Sequence, residues 1–161
     1  MRISLRPLLL AGLVALPLGA AHAQSNPPAP GGAEAPAAAT PVRVAIHVDE
    51  NDPARMTMAL NNAANIEAYY AEQGQEVEIE IVTYGPGLHM LRADTSPVAD
   101  RIATMSLEYP DMVFSACENT IAGMERQSGE TVSLIDEAVK VPSGAVRLIE
   151  LQNEGWAYLR P

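Results

Sequence analysis

The chain has 161 residues, 48% of them hydrophobic and 4% aromatic, with a single cysteine and a formal charge of −10. An acidic surface repels phosphate backbones and anionic headgroups, which argues against nucleic acid and membrane as partners. A lone cysteine excludes an internal disulfide, leaving a packed residue, a link to another chain or a thiol kept for use.

Residues 1–23 place Arg2 and Arg6 ahead of an apolar stretch from Leu8 to Leu18 and end in Ala21-His22-Ala23. This is the pattern of a secretory signal peptide cleaved after Ala23. The stretch is short for a membrane span, and Pro17 interrupts it. The expected mature protein is therefore periplasmic or secreted. Its 138 residues suffice for one domain, and loss of both signal arginines leaves eight basic against twenty acidic residues, a charge of −12. Residues 24–41, QSNPPAPGGAEAPAAATP, carry no apolar periodicity and read as a flexible leader. The folded domain is expected over 42–161.

VRVAIHV (42–48) alternates and is β-branched, so it reads as the first strand. Asp52-Pro53 then supplies an N-cap and first-turn proline for a helix bearing Met56, Leu60, Ala63, Ile66 and Tyr70, ended by Gly74. EVEIEIVTY (76–84) is the second strand. Its glutamates oppose Val77, Ile79 and Ile81, which places part of it near an exposed face or edge. Gly85-Pro86-Gly87 turns into a short helical piece, and Ser96-Pro97 opens a helix with Val98, Ile102 and Met105 inward. DMVFSA (111–116) is the third strand, followed by a short helix from Asn119 to about Arg126. AVKV (138–141) is the fourth strand. Pro142-Ser143-Gly144 leads to a helix with Ala145, Leu148, Ile149 and Gln152 on one side, and WAYLR (156–160) is the last strand.

Alternating strands and helices make an α/β protein with a mainly parallel sheet and helices on both faces. Right-handed crossovers send every strand-to-helix loop to one edge, where open α/β sheets bind ligands. That edge should gather His47 to Asn51, Gly85 to His89, Cys117 to Thr120 and Pro142 to Gly144.

Cys117 stands where a helix begins, and the free N–H groups there favour a thiolate, with Glu118 opposing. A structural cysteine packed under the helix is equally compatible with the position. His89 could orient a thiol or give it a proton; a packing or surface role is the commoner fate of such a histidine, and of His47. Gly85, Gly87, Asn119, Thr120 and Ser143 are the remaining candidates for lining the rim. Met56-Thr57-Met58 and His89-Met90 do not converge as copper ligands should. Gly85-Pro86-Gly87 lacks a phosphate-loop lysine, and no G-x-S-x-G surrounds Ser143. No metal or cofactor is expected.

Four segments in order, PARMTMALNNAANI, VEIEIVTYGPGLHML, FSACENTIAGM and VPSGAVRLIELQNEGWAYLRP, resemble the DsrE/DsrF-like family over about residues 42–161, closest to its stand-alone exported members. The resemblance implies a three-layer α/β/α fold with about five to six strands, and homo-oligomers such as trimers or hexamers. It also implies that a cysteine at the position of Cys117 accepts sulfane sulfur as a persulfide, working with donor and acceptor proteins as a carrier more than a turnover enzyme. The alternative is a non-catalytic oligomeric module, binding a small ligand or serving assembly, with Cys117 structural.

Overall fold

The computed structural model describes residues 40–161, so the predicted signal peptide and all but the last two leader residues lie outside the described residues. Among the described residues, five strands, β1 (Val42–Val48), β2 (Val77–Thr83), β3 (Val113–Cys117), β4 (Ala138–Val141) and β5 (Ala157–Leu159), form one sheet in the order β4-β3-β2-β1-β5. Every pairing is parallel. The helices are α1 (Pro53–Glu72), α2 (Ala99–Glu108), α3 (Glu118–Ser128) and α4 (Gly144–Asn153), with a 3-10 segment over Gly85–Leu91. This is a three-layer α/β/α fold. No helix of the described residues is long and apolar enough to cross a membrane.

Chain order explains the layering. From β1 to β4 the strands are added in one direction, so right-handed crossovers put α1, α2 and α3 on one face. The chain then returns across the sheet to β5 beyond β1, and the reversal sends α4 to the opposite face. The side chains agree. Val44, Ile46, Ile79, Ile81 and Phe114 pack with Met56, Leu60, Ile102 and Ile121 in a large core. Ala45 and Val82, of opposite parity, pack with Leu148 and Leu151 of α4 in a much smaller one.

Local chemistry sets the boundaries. The Asp52 side chain accepts from the Ala54 N–H at 2.8 Å, with Pro53 in the first turn, as expected of a cap. Gly129, at φ 75, ends α3 in the left-handed region that glycine enters without penalty.

Two expectations are corrected and one is narrowed. For β2 the exposed face holds and the edge does not: the strand is flanked by β1 and β3, Glu76 and Glu78 stay at least partly exposed, and Glu80 is buried against Arg147. The Ser96-Pro97 pair precedes α2 instead of opening it, since the Ser96 hydroxyl donates to Met90 O at 2.6 Å and accepts from the Val98 N–H. On α4 the buried residues are Gly144, Leu148 and Leu151, whereas Ile149 is exposed. The helix is rotated so that Arg147 reaches Glu80 of β2.

Candidate functional site

Strand order decides which rim loops meet. β3 and β4 are neighbours, yet the loop after β3 enters α3 on one face and the loop after β4 enters α4 on the other. Such a pair of strands marks the topological switch point, where open α/β sheets generally hold ligands. Cys117, the last residue of β3, stands there, paired in register with Val141 of β4.

Parity aims its side chain at the α4 face. Phe114 and Ala116 belong to the large core; Ser115 and Cys117 point the other way. The thiol is only 4% exposed. Burial pushes its pKa up, but hydrogen bonding from the Thr120 hydroxyl and from the N–H groups of Gly144, Thr120 and Asn119 outweighs that and leaves it below the ordinary value. The donors come from the first turns of both α3 and α4, so two helix starts converge on one sulfur.

Two further bonds hold these donors. The Gly85 N–H donates to Thr120 Oγ1 at 2.9 Å, filling an acceptor site on the hydroxyl and leaving its proton free for the sulfur. The Asn119 N–H donates to Pro142 O at 3.3 Å, which ties the start of α3 to the loop before α4. Gly144 must be small. A Cβ there would lie 3.0 Å from Tyr84 Cβ and 3.4 Å from Cys117 Cβ.

The other predicted rim residues have different fates. Gly87 packs under the end of β1, where a Cβ would run into the Val48 carbonyl. The Ser143 hydroxyl caps α4, accepting from the Val146 N–H at 3.5 Å. Nδ1 of His89 pairs with the Thr95 hydroxyl at 2.8 Å, and the ring lines a groove with Met124 and Gln127 along α3. The structure does not bring His89 to Cys117.

A different histidine lies on the thiol's side of the sheet. His47 of β1 is 6% exposed. Its ring stacks on Tyr84, with centroids 4.7 Å apart, and Nδ1 shares a 2.7 Å hydrogen bond with the Tyr158 hydroxyl. Nε2 is buried without a hydrogen-bond partner among the described residues and lies 3.8 Å from Asp49 Oδ2. A carboxylate facing Nε2 places the ring proton there, so Nδ1 accepts from the Tyr158 O–H. Burial pulls the His47 pKa down, against the pull of Asp49. Tyr84 lies between this histidine and the thiol. Burial raises its pKa, with the charges of Asp49 and Cys117 adding to the rise.

Tyr84 is the site neighbour that sequence reasoning missed, while His47 and Gly144 were placed at the rim but not singled out for the site. The signal available was parity: in VRVAIHV the histidine falls on the same face as Ala45, opposite the valines and isoleucine. Away from the rim, a depression of about 680 Å³ at the other end of the sheet is lined by Glu67, Glu76, Glu108 and Asp111. It is lined by no cysteine, serine, threonine, lysine or histidine, and no cluster of three potential metal ligands occurs among the described residues.

A solved structure described as a protein of unknown function, MTH1491 from Methanobacterium thermoautotrophicum, is similar to this chain. The identity is 31%, the TM-score 0.63, and the match covers 74% of this chain and 99% of that one. No protein-family model and no curated protein matches the sequence.

Proposed function

We propose that this chain, which belongs to the same family as the MTH1491 protein, is an exported sulfur carrier of the DsrE/DsrF-like kind that accepts sulfane sulfur on Cys117. The observation that supports the reading is the place of Cys117: it is buried, it directly precedes α3, and Gly144, the first residue of α4, packs so close that a Cβ there would lie 3.4 Å from the Cys117 Cβ, so two helix starts flank the sulfur. Helix starts favour the anion over the thiol, and the anion is the nucleophile.

The chemistry balances without an outside oxidant. The Cys117 thiolate attacks the outer sulfur of thiosulfate or a polysulfide. A sulfur–sulfur bond forms to Cys117, the donor's own sulfur–sulfur bond breaks, and its electron pair leaves with sulfite or the shortened polysulfide. Cys117 then carries a persulfide anion. An acceptor thiolate attacks its terminal sulfur, takes that atom and returns Cys117 as thiolate.

Incubation with polysulfide followed by intact-mass measurement tests the reading. The expected result is a gain of about 32 Da, one sulfur atom, reversed by a thiol reductant and absent from Cys117→Ser. No cysteine-dependent gain would remove the support for it. Its burial is what favours the alternative, a structural cysteine in a non-catalytic module; there Cys117→Ser would keep every ligand and phenotype.

The proposal includes self-association through the α4 face. Val139, Val146 and Ile149 there are 50–57% exposed, and a groove of about 450 Å³ runs between α4 and β4. Light scattering should give an oligomer whose mass falls to that of one chain in Val146→Glu/Ile149→Glu. A wild-type monomer would contradict this part of the reading.

A further inference from the structure

We propose that Glu80 and Arg147 are positioning residues for Cys117: their ion pair pins the first turn of α4 to the sheet and so holds the start of that helix, at Gly144, against the cysteine. The inference rests on the reading of Cys117 as a working thiolate. Arg147 donates to Glu80 through two nitrogens, Nε to Oε1 at 2.9 Å and a terminal nitrogen to Oε2 at 2.6 Å. Ser115, two residues before Cys117 on the same face of β3, donates to Glu80 Oε1 at 2.6 Å. Glu80 is 3% exposed.

The apolar anchors of α4, Leu148 and Leu151, lie beyond its first turn. The first turn, where Gly144 stands, is fastened by the Arg147 fork one turn further on and by the Arg147 N–H bond to Ser143 O at 2.9 Å. Desolvation of a buried ion pair consumes most of its attraction, so a pair of this kind contributes more to position than to stability. The two-nitrogen fork also fixes direction, which a lysine cannot reproduce.

The titratable groups around the sulfur are Tyr84 and Glu80 from β2, Glu118 at the start of α3 and Arg147 from α4, with His47 of β1 behind Tyr84. Lys140 of β4 points to the other face. Charge alone and position alone predict different outcomes from these neighbours. If only charge mattered, Glu80→Gln would make the thiol more acidic and Arg147→Met less acidic. If the pair positions α4, both changes loosen the helix start from Cys117 and both make the thiol less acidic.

The experiment is the pH dependence of Cys117 alkylation by iodoacetamide in the full chain, with thermal unfolding measured in parallel. Glu80→Gln, Arg147→Met and Arg147→Lys should each move the midpoint upward by about one pH unit, a roughly tenfold loss of thiolate well below it. Arg147→Lys keeps the charge and loses the fork, so it reads position even where Glu80→Gln fails to fold. Leu60→Ala, in the opposite core, should lower the melting temperature and leave the midpoint in place. Shifts of opposite sign for Glu80→Gln and Arg147→Met, or an unmoved midpoint in Arg147→Lys, would overturn the proposal. Alkylation uses no sulfur donor, so a failure of sulfur transfer and a failure of positioning register in separate measurements.

Discussion

The two faces of the sheet are built on different principles. One is covered by α1, α2 and α3 and carries the large apolar core, from Val44 and Ile46 across Ile79 and Ile81 to Phe114. The other has α4 alone among the described residues, and its strands present His47, Glu80, Ser115 and Cys117 between Ala45 and Val82. Burial of apolar area is the main favourable term in folding, so the first face carries most of the stability. The second face joins a small apolar cluster to hydrogen bonds and a buried ion pair. The polar contacts contribute little net stability but specify direction, which a positioned thiol requires. Stability and chemistry thus occupy opposite sides of the same five strands.

Substitutions on the two sides should therefore separate. The largest stability effect is expected from Phe114→Ala in the large core, a loss of about 3–5 kcal/mol in urea unfolding, with the alkylation midpoint of Cys117 unchanged in the folded protein. A shifted midpoint there would mean that the faces are coupled. Thr120→Val comes next. It removes a donor to the sulfur and the acceptor of the Gly85 N–H, so it should cost about 1–2 kcal/mol and raise the midpoint by about one unit.

Gly144→Ala sharpens the contrast further. The new Cβ crowds Tyr84 and Cys117, while alanine favours the helix by about 1 kcal/mol. Stability should move by less than for Phe114→Ala, and alkylation near neutral pH should slow several-fold. An unchanged rate would show that the Gly144 N–H does not serve the sulfur.

The smallest effect concerns acid. The His47 pKa is lowered by burial, so the unfolded chain takes a proton more readily than the folded one. Stability is then fully present above the unfolded value, about 6.5, and falls as pH drops from there toward the lower folded value. His47→Phe should flatten that part of the stability curve; an unchanged slope would place the acid sensitivity elsewhere.

Much of the fold was readable because its signals are local. β1 and β4 fall on the residues that alternation predicts, and Asp52-Pro53 opens α1 as capping chemistry requires. The rim was readable as a set of loops but not as a set of neighbours, because strand order is a long-range outcome. Once the order is known, the β4–α4 loop lies against Cys117 and its Gly144 N–H becomes a donor. The pair of Glu80 and Arg147, 67 residues apart, had one local sign: a glutamate in a strand that proved to be central must find a cation. His89 drew notice because it follows the Gly-Pro-Gly turn, but the 3-10 segment directs it to Thr95, and parity placed His47 on the thiol's face instead.

The central claim, that the surroundings of Cys117 on the α4 face favour its thiolate, is tested most directly by the pH–rate profile of its alkylation in the wild-type chain. The structure predicts a midpoint below that of an ordinary cysteine, about 8.5, with the thiol of the urea-unfolded chain titrating at the ordinary value. The difference would appear as stability that is present above the unfolded midpoint and lost as pH falls through the folded one. A folded-state midpoint at or above that of the unfolded chain would contradict the account.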